Sequence, residues 1–135
     1  MHRSRLATIV IDCQTERLEE AASFWGSALG RPALSLNDPQ NANYRELAGP
    51  ESEVQVLVQS VSHPSRVHVD IETDDIDAEV HRLESLGAKR VAQVKSWWVM
   101  EAPTGQRFCV VRPQRPDFEA HANEWPGSQA RRDKP

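Results

Sequence analysis

Cysteine is scarce in this sequence, because only Cys13 and Cys109 occur among 135 residues and they form no C-x-x-C pair. This scarcity excludes a disulfide-stabilised secreted scaffold and a cysteine-rich zinc ribbon. We therefore expect both thiols to be reduced and mostly buried, as free cysteines commonly are.

An excess of positive charge and long apolar runs are also absent. The chain has 16 Lys and Arg against 20 Asp and Glu, a formal net charge of -4. Binding a phosphate backbone needs a basic surface, so the composition indicates no nucleic-acid partner. No apolar run approaches the roughly 20 residues of a membrane helix, and the first five residues lead into a strand-like segment rather than a signal-peptide core. We therefore predict a cytoplasmic protein without membrane contact.

The length and the 39% content of hydrophobic side chains are enough for one domain, but not for two ordinary ones. We place this domain at residues 1–113. An extension at 114–127 is expected to dock on it through Phe118 and Trp125, and the tail at 128–135 is too polar to fold.

The first half of the chain has the pattern of one strand, one helix and three further strands. Residues 6–12 (LATIVID) are rich in β-branched side chains, and Thr15 is a candidate N-cap. The apolar residues of 16–29 recur at helical spacing, and Gly30 supplies a stop. Strand-like segments follow, separated by turn formers. They are residues 33–36, 44–47 and 53–60.

The second half repeats this order. Residues 66–72 (RVHVDIE) form a strand pattern, Asp74 or Asp75 can cap the next helix, and Gly87 ends it. Three strand-like segments follow at 89–94, 97–101 and 107–111. The sequence therefore contains an internal duplication of a βαβββ module, at 5–60 and 66–112.

Each module alone leaves a sheet face uncovered. We therefore expect the two to associate around a common concave surface, which is where ligands usually bind.

The segment RVHVDIETDD at 66–75 raises the possibility of a metal site. In an extended strand His68, Asp70 and Glu72 share one face, while the valines and Ile71 lie on the other. One imidazole and two carboxylates could bind a cation, or they could form the solvated side of an ordinary strand. Because the strand ends there, we expect Glu72 and Asp74 at a solvated rim or at the helix cap.

Three segments resemble a known family: SFWGSALGRP, RVHVDIETDDIDAEVHRLESLGAKRV and WWVMEAPTGQRFCVV. They are similar to the small glyoxalase-like domains of the vicinal oxygen chelate superfamily. The resemblance implies an α+β fold in which two tandem βαβββ modules form a paired half-barrel sheet around a central cavity. The superfamily includes isomerases, dioxygenases, epimerases and binding proteins, so the resemblance is specific for fold rather than for reaction.

In metal-using members of this superfamily, each module provides one ligand from its first strand and one from its last. His68 matches one of these four positions. The other three hold Ala7 or Thr8, Gln55 or Gln59, and Cys109. Neutral amides are weak ligands and a thiol is a soft one, so we expect no metal cofactor. If a metal binds, His68 is the residue that holds it.

His68 is the principal candidate residue of the proposed cavity. A neutral imidazole has a donor and an acceptor, so His68 could be a general base oriented by Asp70, a metal ligand or a structural residue. We also predict five ligand-binding side chains. They are Gln55, Gln59, Trp98, Met100 and Cys109.

The sequence therefore predicts a glyoxalase-like protein that binds a small organic ligand between its modules. Two alternatives stay open: a metal-dependent lyase, isomerase or dioxygenase centred on His68, and a protein that sequesters an aromatic drug. Whether the chain is an enzyme is left undecided. Apolar strand edges favour a homodimer.

Overall fold

The computed structural model describes residues 1–34 and 43–126 of the chain. Its helices and strands follow the order predicted for two βαβββ modules. The helices are α1 (Leu18–Leu29), α2 (Ile76–Ser85) and α3 (Phe118–His121). The strands are β1 (His2–Gln14), β2 (Tyr44–Leu47), β3 (Gln55–Val61), β4 (Arg66–Thr73), β5 (Lys89–Val94), β6 (Trp97–Glu101), β7 (Arg107–Val111) and β8 (Asn123–Trp125). No helix among the described residues is long and apolar enough to cross a membrane.

The chain divides into two compact units, whose limits fall inside β1 and β4. The first unit is Thr8–His68. The second unit combines residues 1–7 with the chain from Val69 onward. The module boundaries drawn from the sequence, 5–60 and 66–112, stay a prediction.

The first unit is a three-stranded sheet covered on one face by α1. β3 lies between β1, to which it runs parallel, and β2, to which it runs antiparallel. The apolar stripe of α1 packs on the sheet because its residues recur at helical spacing. The buried core of this unit is Ile11, Leu18, Leu47, Val56 and Val58.

Two local predictions for the first unit are corrected. α1 begins at Leu18 and has Arg17 as its N-cap residue, while the Thr15 hydroxyl only accepts a bond from the Arg17 backbone N–H. The predicted strand at 33–36 is reduced to an isolated bridge between Ala33 and Leu47, and residues 35 and 36 lie outside the described part of the chain. The predicted polar tail, 128–135, also lies outside it.

In the second unit β4, β7, β6 and β5 are neighbours in that order, with α2 packed on one face. β8 pairs antiparallel with the start of β1 in the same unit. Asp75, one of the two predicted caps, accepts a bond from the Ala78 backbone N–H at 3.0 Å. The buried core residues are Val80 and Leu83 from α2 and Met100, Phe108 and Val110 from the sheet.

Glu72 is fully buried, so the prediction that it lies at a solvated rim is wrong. Its Oε2 accepts a bond from Arg5 Nε at 2.6 Å, and its Oε1 accepts bonds from the backbone N–H groups of Gln114 and Arg115 at 2.5 and 3.0 Å. The same guanidinium bonds Asp117 at 2.7 Å, and this bond lowers the pKa of Asp117. A buried carboxylate is stable only when its oxygens are paired, so Glu72 needs these partners. Through them it joins the chain after β7 to the start of β1.

Glu79 of α2 is a second buried carboxylate in this unit. His2 Nε2 lies 2.8 Å from one of its oxygens, and the Arg82 guanidinium bonds both oxygens at 2.9 and 2.8 Å. Burial acts to raise the pKa of Glu79, but hydrogen bonds from Arg82, His2 and Ser4 outweigh burial, so its pKa is lowered.

We expect this carboxylate to make the free energy of unfolding depend on acid pH. The pKa of Glu79 is lower in the folded protein than in the unfolded chain, where it is about 4.3. The contribution of Glu79 to the free energy of unfolding is therefore fully present above pH of about 4.3, and it is lost as the pH falls through the folded pKa. Urea denaturation at a series of pH values below about 5 should show a steeper loss of stability in the wild type than in Glu79→Gln. Glu119→Gln, at an exposed site, is the control and should keep the wild-type slope. Equal slopes for wild type and Glu79→Gln would contradict this assignment.

Candidate functional site

The first unit presents a polar sheet face on the side away from α1. Ile11, Val56 and Val58 point into the core beneath α1. Since side chains alternate along a strand, their neighbours in β1 and β3 point to the opposite side. The directly paired residues on that face are Thr8 with Gln55, Val10 with Leu57, and Asp12 with Gln59.

His68 and Asp12 form a close hydrogen-bonded pair. His68 Nδ1 lies 2.7 Å from Asp12 Oδ2, and Asp12 is only 2% exposed. A carboxylate can only accept, so Nδ1 donates. An imidazole held in this way by a buried carboxylate is suited to general-base chemistry.

Asp12 is a partner of His68 that the sequence analysis does not single out. The role of Asp70 as an orienting partner of His68 stays a prediction. The available signal was its position: Asp12 is four residues after Thr8 on the same side of an otherwise apolar strand, so its carboxylate needs a partner. That partner is 56 positions away in the sequence, beyond the reach of local patterns.

Two further nitrogens approach the same carboxylate oxygen. Arg66 Nε lies 3.5 Å and His63 Nε2 lies 4.0 Å from Asp12 Oδ2. Asp12 Oδ1 is buried and accepts no hydrogen bond from the residues that the structure describes. We refer to Asp12, His63, Arg66 and His68 as the Asp12 cluster.

The two predicted glutamines occupy different rows of the polar face. Gln59 pairs with Asp12 and therefore lies beside the Asp12 cluster. Gln55 pairs with Thr8, whose hydroxyl donates to Gln55 Oε1 at 2.8 Å. Four residues of strand separate Thr8 from Asp12, which is about 13 Å at roughly 3.3 Å per residue. Gln59, rather than Gln55, thus lies in the same row as Asp12.

A cavity of about 470 Å³ lies at the end of β1 and β3 that follows this pair. Its lining residues begin one or two positions after Asp12 and Gln59. They are Gln14, Thr15, Glu16, Ser60, Val61 and Ser62.

Asp70 and Cys109 are direct neighbours on β4 and β7. Asp70 follows His68 by two positions in β4. Both cysteines of the chain are free, and both are partly exposed, so the prediction that they are mostly buried is wrong. Burial raises the pKa of the Cys13 thiol, which therefore favours its protonated form.

Trp98 and Met100 lie on the side of β6 that packs against α2. Met100 is fully buried in the core beneath this helix, and Trp98 packs against the same core with the Arg90 guanidinium 5.0 Å from its ring centre. Met100 is thus a core residue with no surface for a ligand, which corrects its predicted role. The alternation of β6 places Trp97 and Val99 on the opposite side, where Val99 pairs with Cys109.

A family profile described as a glyoxalase-like domain matches residues 8–111. No curated protein matches the sequence.

Solved structures of methylmalonyl-CoA epimerases are similar in fold. A selenomethionine crystal structure of such an enzyme has a TM-score of 0.54 at 15% identity, over 81% of this chain and 95% of that one. A variant of the Streptomyces coelicolor enzyme, in complex with 2-nitronate-propionyl-CoA, has a TM-score of 0.54 at 14% identity, over 82% and 98%. The Mycobacterium tuberculosis enzyme has a TM-score of 0.52 at 18% identity, over 86% and 91%. At these identities the likeness shows the fold alone, the α+β arrangement of two βαβββ modules.

Proposed function

Because this chain belongs to the glyoxalase-like domain family of the vicinal oxygen chelate superfamily, we propose that it binds a small organic ligand at the Asp12 cluster and that His68 transfers a proton to or from that ligand. The observation that carries the proposal is the 2.7 Å bond between His68 Nδ1 and the buried Asp12 carboxylate. This bond fixes the orientation of the ring and the tautomer in which Nδ1 carries the proton.

The proposed step is removal of a proton from a carbon next to a carbonyl group. The proton passes to His68 Nε2, and the electron pair of the broken C–H bond stays on the ligand as an enolate. The imidazolium that forms is stabilised by Asp12, whose buried charge acts at short range in a medium of low polarity. The Gln59 amide, in the row of Asp12, can donate to the enolate oxygen. Exchange of the imidazolium proton with solvent, followed by its return from His68 to the same face of the enolate, gives hydrogen exchange at that carbon.

The substrate class that fits this step is a carbonyl compound with an acidic C–H. The similar structures support this choice, since one of them is an epimerase in complex with methylmalonyl-CoA. For this chain, thioesters and oxo acids are therefore the first compounds to test.

The superfamily implies a divalent metal that would serve as a Lewis acid, and we propose that this chain lacks the four-ligand set for it. What supports this is the first module, where Thr8 and Gln55, which are candidates for two of the four positions, are bonded to each other. The amide oxygen that would bind a metal instead accepts the Thr8 hydroxyl. These two residues also lie about 13 Å along the strand from the row of Asp12.

A metal-dependent reaction centred on His68 is the second candidate function. The observation that favours it is the bond from His68 Nδ1 to the Asp12 carboxylate, since a metal-ligating histidine usually donates its other ring N–H to a carboxylate. Elemental analysis of protein purified without chelator separates the candidates. Stoichiometric metal that is lost in His68→Ala would overturn the metal-free proposal.

The proton-transfer proposal predicts deuterium exchange into a bound carbonyl compound. Methylmalonyl-CoA and 5-oxohexanoate would be incubated with the protein in D₂O, and loss of the C–H signal followed by proton NMR. We expect His68→Gln to slow exchange by about 10²–10⁴-fold, the usual size of a general-base effect, and Asp12→Asn to slow it by at least about tenfold. His81→Gln, which changes an exposed histidine, is the matched control and should leave the rate unchanged.

Ligand affinity, measured by thermal shift, distinguishes the remaining outcomes. Retained affinity with lost exchange in His68→Gln supports proton transfer. Saturable binding with no exchange in the wild type would instead indicate sequestration, and exchange unaffected by His68→Gln would exclude His68 as the base. The homodimer and the cytoplasmic location belong to the same proposal, and light scattering after gel filtration tests the dimer.

A further inference from the structure

Arg66 lies next to the proposed proton-transfer residue and on the same side of β4. It precedes His68 by two positions, so the two side chains share a face and their backbones are about 7 Å apart. The Arg66 side chain is 45% exposed, whereas Asp12 is buried beneath it. A ligand that reaches His68 therefore passes close to this guanidinium.

The Arg66 charge is less closely paired than the charges of the two arginines that bind buried carboxylates. Within the described part of the chain, its closest approach to a carboxylate is 3.5 Å, compared with 2.6 Å for Arg5 and 2.8 Å for Arg82. The oxygen that it faces is already bonded by His68 at 2.7 Å. The nearest Arg66 atom is Nε, which leaves the two terminal amino groups as a pair of parallel donors.

His63 adds a second nitrogen group at the same place. Its Nε2 lies 4.0 Å from Asp12 Oδ2, and its side chain is partly exposed. Three nitrogen-bearing side chains thus face one carboxylate, so the Asp12 cluster does not repel an incoming anion.

We infer that Arg66, with His63 beside it, binds a carboxylate group of the ligand, so that the ligand of the Asp12 cluster is an organic acid. The planar guanidinium fork matches a carboxylate with two parallel hydrogen bonds, which a neutral amide cannot accept equally well. The spacing from Arg66 to His68 favours a ligand whose acidic C–H lies several bonds from its carboxylate. This inference rests on the proposed function and names its substrate class.

The test compares oxo acids with their primary amides, which differ in charge but little in shape. The probes are 2-oxobutanoate, 4-oxopentanoate and 5-oxohexanoate, each with its amide, and their dissociation constants are measured by calorimetry. We expect the wild type to prefer at least one acid over its amide by about tenfold or more. Arg66→Gln should reduce that preference to within about twofold, and Arg66→Lys, which keeps the charge without the fork, should be intermediate.

Arg17→Gln, which alters an exposed arginine of the same unit, is the control and should keep the wild-type preference. Equal melting temperatures of Arg66→Gln and the wild type confirm that the variant is folded. The inference is overturned if the wild type shows no preference for any acid, or if the preference survives in Arg66→Gln. Deuterium exchange in His68→Gln tests the proton transfer separately, because the acid preference of that same variant still reports on Arg66.

Discussion

Replacing Glu72 with alanine is expected to lower the free energy of unfolding by about 3–5 kcal/mol, which is the usual cost of removing one partner from a buried ion pair. The Glu72 carboxylate is fully buried and accepts bonds from Arg5 and from the backbone N–H groups of Gln114 and Arg115. Its loss leaves a buried guanidinium with Asp117 as its only close carboxylate partner among the described residues, and leaves two backbone donors unpaired. Urea denaturation at pH 7 measures the effect.

Glu101→Ala is the matched control for this prediction. Glu101 pairs with Arg107 at 3.3 Å, but both side chains are about one third exposed or more, so its removal should cost no more than about 1 kcal/mol. If Glu72→Ala does not fold, Glu72→Gln keeps the shape and loses only the charge, and its stability can be measured instead. Equal losses in Glu72→Gln and Glu101→Ala would show that the Glu72 carboxylate has no special structural role.

Replacing Met100 with alanine is expected to cost about 2–5 kcal/mol of stability, as large-to-small changes in a core do. Met100 is fully buried among Val80, Leu83, Phe108 and Val110, so its removal leaves a cavity beneath α2. Urea denaturation measures this loss of stability. The dissociation constant of an oxo acid, measured by calorimetry on the folded variant, should be unchanged if Met100 is a core residue and not a ligand contact.

Val99→Ala provides the comparison from the same strand. Val99 is the residue before Met100 in β6, is partly exposed and lies on the side away from α2. Its truncation should cost clearly less stability than that of Met100. A loss of ligand affinity in Met100→Ala at wild-type stability would restore the role that the sequence indicated for this residue.

The strand and helix order was predictable because its signals are local. The two-residue alternation of strands, the helical spacing of apolar residues and the Leu-Gly stops each act within a few positions. The same local signals produced the errors. Alternation indicated correctly that Trp98 and Met100 share a face, but not that this face packs against α2. The position of Glu72 near the end of β4 indicated that its side chain is exposed. In the structure, Arg5 and the backbone of Gln114 bind its carboxylate in the interior of the unit.

The sequence by itself determined that this chain has two βαβββ modules and that His68 stands on the first strand of the second. Only the tertiary structure decided which carboxylate meets that imidazole. Asp12 lies 56 positions before His68, and the local sequence around either residue does not indicate which residue is its partner. Side-chain partners across strands depend on which strands are adjacent and in what register, and these follow from the packing of the whole sheet rather than from the pattern of any one segment.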